Sequence, residues 1–315
     1  MFSDDPRIKP YEFRGLHGRY VHIPSLNPKA KRVFLAVYGQ HATLERCQAL
    51  NDALSHFGDV YMVDTPGFGG MDASYKIGQY PSLDFYADHI KNIFDTVLPQ
   101  DTPVTLFGIS FGWQILTQFL SKYPDYHSRV QDSISFVGLM SYRDFRMPVW
   151  LELLGKYIVS YPARSWVGSK FYRYVVFQDV FLKPFYIFYS KKTPRFAGVD
   201  RSKIREYAAE QSDLWRLNDV RTHGATAWDF LKNNDLTSLK IELPIVHLGV
   251  PQDHFLDNEK VVSELRTVFS TVQAYDLDLT SHAPIAFESP KEILAVIPTD
   301  LQTYLLAEKR QSKVD

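Results

Sequence analysis

The sequence predicts an α/β fold, a mostly parallel sheet flanked by helices with a helical module inserted into it. Three observations carry this expectation. Short unbroken apolar runs end at Gly, Asp or Pro, as strands buried on both faces do. Segments of helical periodicity alternate with those runs. From 140 to 236 the alternation stops and the composition changes.

Val33-Phe34-Leu35-Ala36-Val37-Tyr38, closed by Gly39, is the first of these runs. Asp59-Val60-Tyr61-Met62-Val63, closed by Asp64-Thr65-Pro66-Gly67, is the next, and a helical pattern over 44–57 separates the two. Val104-Thr105-Leu106-Phe107 then enters Gly108-Ile109-Ser110-Phe111-Gly112 and a helical stretch over 113–123. Ser133-Ile134-Ser135-Phe136-Val137 is the last strand before the break. The alternation resumes with Leu243-Pro244-Ile245-Val246-His247-Leu248, a helix over 257–269, a strand over 272–277 and one last helix over 290–306. Right-handed crossovers place helices on both faces of such a sheet. The expected division is a core domain of 1–139 and 237–315 and an inserted helical module of 140–236.

The insertion is aromatic and basic at once. Between Trp150 and Tyr189 the Phe, Tyr and Trp residues are far denser than in an average chain. From Arg143 to Arg205 the sequence has 13 Lys/Arg against 4 Asp/Glu, an excess offset elsewhere, since the whole chain holds 35 basic and 36 acidic residues. That balance leaves no electrostatic footprint for nucleic acid. Cys47 is the single cysteine, which excludes an internal disulfide, a cysteine-based zinc site and an iron–sulfur cluster. A reducing compartment, the cytoplasm, is expected. The start, Met1-Phe2-Ser3-Asp4-Asp5-Pro6, lacks the positive charge and apolar run of a secretory signal. No stretch reaches the ~20 apolar residues of a membrane span.

A serine hydroxyl is a weak nucleophile at its own pKa, so its use in catalysis requires a base in hydrogen-bond reach and donors aimed at the developing oxyanion. Gly108-Ile109-Ser110-Phe111-Gly112, between a strand and a helix, places Ser110 on a sharp turn at the carboxyl edge of the sheet. Phe111 opens the helix, so its N–H and the positive end of the helix dipole lie beside the site where negative charge develops.

With these residues the chain resembles the α/β-hydrolase superfamily from Val33 to about Leu306, the inserted module alone being unmatched. Asp64-Thr65-Pro66-Gly67-Phe68-Gly69 resembles the family's D-x-P-G-x-G loop. Ser281-His282-Ala283-Pro284 resembles its terminal histidine loop, and Leu248-Gly249-Val250-Pro251-Gln252-Asp253 the segment carrying its acid, with one extra residue. The resemblance implies a catalytic triad of Ser110, Asp253 and His282 in the family's chain order. His282 follows a strand and precedes the last helix, where a loop can reach back to Ser110. Asp257 is the rival acid, although Asp257-Asn258-Glu259-Lys260 reads as a helix N-cap; Asp144 is a third and poorer candidate. The second oxyanion donor falls by position on the backbone N–H of Gln40, beside that of Phe111. Here Tyr38-Gly39 replaces the family's usual His-Gly, and Trp113 stands where a small residue is usual. His41 reads as a substrate contact or a solvated loop residue, with the second favoured. Asp64 is expected to brace its own loop through Asx-turn bonds; an aspartate nucleophile would replace the serine of the elbow, so epoxide hydrolysis and dehalogenation are disfavoured.

Relatives of this fold carry helical insertions after the sixth strand as lids over the site. The expected function is hydrolysis of a carboxylic ester or related acyl bond of a small lipophilic substrate, with no metal or organic cofactor required. The aromatic insertion fits a lipophilic acyl or aromatic group, although most of its rings are expected to pack the lid on the core. Its basic residues leave room for weak peripheral contact with anionic membranes, and a solvated face is the reading favoured. The rival classes are a ligand-binding or sensor protein on the same fold, and a lyase or acyltransferase using the same triad. The sequence leaves the oligomeric state open.

Overall fold

The computed structural model describes residues 5–146, 148–192, 200–253, 255–279 and 289–307. Its centre is an eight-stranded sheet in the order β1-β2-β4-β3-β5-β6-β7-β8. The strands are β1 (Ile8–Phe13), β2 (Leu16–Ile23), β3 (Arg32–Val37), β4 (Gly58–Val63), β5 (Val104–Ile109), β6 (Val130–Phe136), β7 (Ile241–Gly249) and β8 (Phe269–Asp276). All pairings from β4 to β8 are parallel, whereas β1 and β2 are antiparallel to each other and β2 to β4. Every residue of β3 and of β5 is buried, which is why these strands read as unbroken apolar runs.

The β1–β2 hairpin has no such signature. Its residues alternate between exposed and buried, and it turns through Arg14 and Gly15, both at positive φ (52° and 79°), as a two-residue turn with primed twist requires. Helix α1 (Gln48–Leu54) follows a 3-10 turn, Glu45–Cys47, so the pattern expected over 44–57 is helical in its middle and tightened at its start. Helix α2 (Leu83–Thr96) is capped by the Ser82 hydroxyl on Phe85 N–H, and α3 (Phe111–Lys122) packs beside it.

Between β6 and β7 lie α4 (Val149–Leu153), α5 (Tyr161–Ala163), α6 (Trp166–Phe171), α7 (Asp179–Lys192), α8 (Arg201–Leu217) and α9 (Val220–Lys232). After β7 come α10 (Asn258–Val268), α11 (Pro290–Val296) and α12 (Thr299–Leu306). The single helix expected over 290–306 is therefore two. Ile297 is extended (φ −72°, ψ 125°) because the residue before a proline is pushed out of the helical region, and Pro298 starts α12.

Two apolar clusters fill the two faces of the sheet. Leu35, Leu106, Phe94 and Phe119 belong to one, and Phe34, Phe107, Phe136 and Leu301 to the other. At the amino end of the strands Arg32 is buried at 5% exposure, yet its charge is met. The guanidinium donates to Thr105 Oγ1 (2.8 Å), to the Asp132 carboxylate and to Leu305 O (3.3 Å), and Tyr304 Oη donates to Asp132. Three strands and α12 are thereby tied at that end.

Candidate functional site

The opposite, carboxyl edge of the sheet holds the candidate site, and its backbone is unusual there. His41, Ser110 and Val137, which follow β3, β5 and β6, all have positive φ (62°, 51° and 43°). Non-glycine residues reach this region only at an energetic cost, most of all a β-branched valine. Ser110 sits with ψ −115° between the last residue of β5 and the first of α3, its N–H donating to Phe136 O (3.0 Å). The sharp turn expected from the glycine spacing is present.

Those glycines are required by close approach. A Cβ on Gly112 would lie 2.2 Å from Val37 O, and one on Gly108 2.7 Å from Trp113 Cα. Gly39 lies against the serine itself, with a Cβ there falling 3.3 Å from Ser110 Cβ. The loop after β3 and the start of α3 are thus in contact. Phe111 is the first residue of α3, so its N–H has no partner within the helix and points with the first turn toward the strand edge.

Tyr38 fills a different role from the histidine it replaces. Its ring is buried, its hydroxyl donates to Asp64 Oδ1 (3.0 Å), and it accepts from Thr65 N–H (2.9 Å). Arg19 Nε donates to Asp64 Oδ2 (2.9 Å), while the same guanidinium reaches Glu45 Oε1 (2.6 Å) and Gly69 O (2.7 Å). Burial pushes the Asp64 carboxyl up to about 7, against the opposing pull of Arg19 and Tyr38. The Asp64 carboxylate braces the D-x-P-G loop from β2 and β3 rather than through the Asx-turn bonds expected from its sequence. Gly69 gives it room, since a Cβ there would be 1.9 Å from Asp64 Oδ1.

Gln40 is anchored to the helical insertion. Its side-chain amide donates to Thr226 Oγ1 (2.7 Å) and His223 O (3.2 Å), both on α9. The loop after β4 meets the same helix, with Asp219 N–H on Gly67 O (2.8 Å) and Gly69 N–H on Asn218 Oδ1 (2.8 Å). His41 is half-buried there, not solvated as expected. Its ring lies 4.2 Å from that of Trp215 and 5.0 Å from that of His223, with Nδ1 3.3 Å from Asn218 Nδ2. Burial, with His223 and Arg46 nearby, holds its imidazole well below the usual range, and burial alone brings His223 down to about 4. The α8–α9 residues at this edge, Trp215, Asn218, His223 and Thr226, are ones that sequence reasoning did not single out. They lie more than 170 positions from Gln40 and His41 and belong to no motif.

Asp253 follows β7 at the same edge, 4% exposed, its carboxylate oriented by Phe255 N–H on Oδ1 (2.7 Å). Asp257 is the N-cap of α10, accepting from Lys260 N–H (3.2 Å). Asp144 is also engaged in backbone capping, with Oδ2 accepting from Met140 N–H (2.8 Å) and Ser141 N–H (2.9 Å). Burial and the neighbouring Asp144 push the Glu264 carboxyl up to about 7. His282 lies outside the described residues. Trp113 is buried against Phe269 (5.5 Å), and its bulk is accommodated by Gly138, where a Cβ would lie 2.6 Å from the indole. Among the described residues no group of His, Cys, Asp and Glu could hold a metal ion, and no helix is long and apolar enough to cross a membrane.

An eight-stranded, mostly parallel sheet with a serine on a strained strand-to-helix turn is the α/β-hydrolase arrangement. The sequence family described as serine aminopeptidase, S33, matches residues 28–227, and the chain belongs to it; the protein is an α/β-fold hydrolase. No curated protein matches in sequence. Among solved structures, the chain is similar to the epoxide hydrolase CorEH without ligand (13% identity, TM-score 0.66, covering 94% of this chain and 98% of that one). It is similar also to a mutant of the N-acyl homoserine lactonase AidH complexed with N-hexanoyl homoserine (15%, 0.62, 96% and 99%). A third is a hydrolase from Pseudomonas aeruginosa (12%, 0.65, 96% and 100%). At these identities the likeness is one of fold.

Proposed function

We propose that the protein hydrolyses a carboxylic ester or related acyl bond of a small lipophilic substrate through an acyl-Ser110 intermediate. The observation that carries this reading is Ser110 itself, held at φ 51° at the head of α3 with Gly39 against its side. Strain of that kind persists only where the surroundings over-determine it, and it lifts the hydroxyl out of the sheet edge. In the reaction His282 takes the Ser110 proton as Oγ attacks the acyl carbon, and the N–H groups of Gln40 and Phe111 receive the oxyanion. The imidazolium then gives its proton to the departing alkoxide. Water, deprotonated by the same histidine, releases the acid and restores the serine. Asp253 accepts the other imidazole N–H and fixes the tautomer; its burial and the Phe255 N–H that holds it support the choice over Asp257, whose carboxylate caps α10.

Ser110 rather than an aspartate at the elbow argues against epoxide opening, the reaction of one structural neighbour, by a carboxylate nucleophile. A lactone is a cyclic ester, so the reaction of the lactonase neighbour belongs to the proposed class. The helices between β6 and β7 act as a lid, a role supported by the contacts of α9 with the loops after β3 and β4. Trp215, Phe68 and His223 form a cluster of rings beside His41, next to the loop of the proposed oxyanion donor Gln40.

A fluorophosphonate probe tests the proposal directly. It is expected to label the protein at Ser110, and Ser110→Ala is expected to abolish both labelling and turnover of p-nitrophenyl esters; labelling that survives the substitution places the nucleophile elsewhere. An initial burst of p-nitrophenol followed by slower steady release identifies the acyl-enzyme.

A further inference from the structure

Helix α7 is apolar on two opposite sides. Leu182, Tyr186 and Ser190, spaced by four, face inward, with Tyr186 Oη accepting from Trp215 Nε1 (3.0 Å). Val180, Phe181 and Phe185 face out and are 70%, 59% and 57% exposed. A helix with apolar side chains on two opposite faces needs a cover for each, and here only one face is covered. Exposed apolar side chains recur on α4 and α6, where Trp150 (67%), Trp166 (60%) and Val167 (70%) stand in solvent. Isolated exposed hydrophobics need no explanation, but a run of Trp, Phe and Val over successive helices of one module does.

The charge among these rings identifies what covers them. Glu152 and Asp179 are the only carboxylates from 148 to 192. Glu152 is paired with Lys156, and Asp179 with Lys183 (2.6 Å) and Arg216. Among the described residues Arg164, Lys170 and Arg173 have no carboxylate in ion-pair range; Arg173 is turned to the backbone carbonyls of Arg216 (2.8 Å) and Asn218, whereas Lys170 Nζ lies 3.8 Å from the Trp166 ring centre and the Arg164 guanidinium 4.2 Å from that of Tyr161. A second copy is disfavoured as the covering surface, because a two-fold interface would set this positive surplus against itself. Aromatic rings with cations beside them match the interface of an anionic bilayer, where rings sit at headgroup level and Lys or Arg meets phosphate.

We propose that the outer face of α4, α6 and α7 docks the protein on anionic phospholipid membranes, lying in the interface without crossing it. On this proposal the basic residues meet lipid phosphate, where the sequence favoured a solvated face.

The test is co-sedimentation of the full chain with phosphatidylcholine vesicles with and without phosphatidylglycerol, at low and physiological salt. Binding is expected only with phosphatidylglycerol, weakening as salt rises. Lys170→Gln should lower the partition coefficient about fivefold at low salt. Joint replacement of Phe181 and Phe185 by Ala should lower it about tenfold or more, with circular dichroism and turnover of a soluble ester unchanged. Quenching by brominated lipid is expected to diminish in Trp166→Phe. The proposal is overturned by absence of binding at low salt or equal binding to neutral vesicles. A dimer in solution that dissociates on the Phe181/Phe185 replacement would also overturn it, by making a second copy the occupant.

Discussion

Asp253 and Asp257 are four positions apart and chemically identical, yet their surroundings ask different things of them. Asp257→Asn is expected to change little, because asparagine caps a helix about as well as aspartate. Asp253→Asn is expected to leave the thermal midpoint nearly unchanged and lower kcat by orders of magnitude, since an amide can hold the imidazole in the wrong tautomer. Paired measurements of kcat and unfolding decide between them, and the reverse ranking moves the acid to Asp257. Gly112→Ala belongs at this scale too. A methyl 2.2 Å from Val37 O must displace the β3 loop or α3, and a loss of about 3 kcal/mol is expected in denaturant unfolding. The elbow was legible in the sequence because it is a short local pattern set between an apolar strand and a helical stretch, and that context gives the five residues their geometric reading. Tyr38 was legible only as a departure. That its hydroxyl braces Asp64 depends on β3 and β4 lying side by side, a fact of pairing absent from any local window.

At the scale of elements, the strands that read clearly were those buried on both faces, and the elements missed were half-exposed or bounded by signals of other kinds. The β1–β2 hairpin sits at the edge of the sheet with Pro10 within it, so its apolar positions alternate rather than run together. The split between α11 and α12 was written in Pro298 but outweighed by continuous helical periodicity on either side. The link between Gln40 and α9 is the element-level contact of most consequence for chemistry, because it fastens the loop of a proposed oxyanion donor to the proposed lid. In a double-mutant cycle with Gln40→Ala and Thr226→Val, a coupling of about 1 kcal/mol is expected in thermal stability. Each single variant should also lower kcat for ester turnover. A coupling near zero means that the loop holds its shape without the helix.

For the whole molecule, acid is the expected vulnerability. His89, His223 and His247 are held by burial at about 3, about 4 and about 4, below the unfolded value near 6.5. Each is neutral when folded. As pH falls below about 6.5 the unfolded chain takes up protons at these histidines that the folded chain refuses, so their contribution to stability is lost toward pH 4, while Asp64 and Glu264, raised to about 7 by burial, take up protons first in the folded chain and offset part of that loss. Urea midpoints across this range should fall with pH. His89, packed between Tyr11 and Phe13, is the cleanest to remove, and His89→Leu should flatten the slope; an unchanged slope assigns the acid sensitivity elsewhere.

The buried Arg32 group carries a consequence for how this protein can change over generations. Its bonds to Thr105, Asp132 and Leu305 join β3, β5, β6 and α12 at the rim of the sheet remote from Ser110. The chain is secured at one rim, and the chemistry proposed for it lies at the other. Replacements in the loops around Ser110 can therefore alter what the proposed site accepts without loosening that far fastening, whereas losing Arg32 would remove a charge partner of the buried Asp132 carboxylate and cost the fold while sparing the proposed reacting groups. New substrates are open to this scaffold through its loops, and closed to it through its foundation.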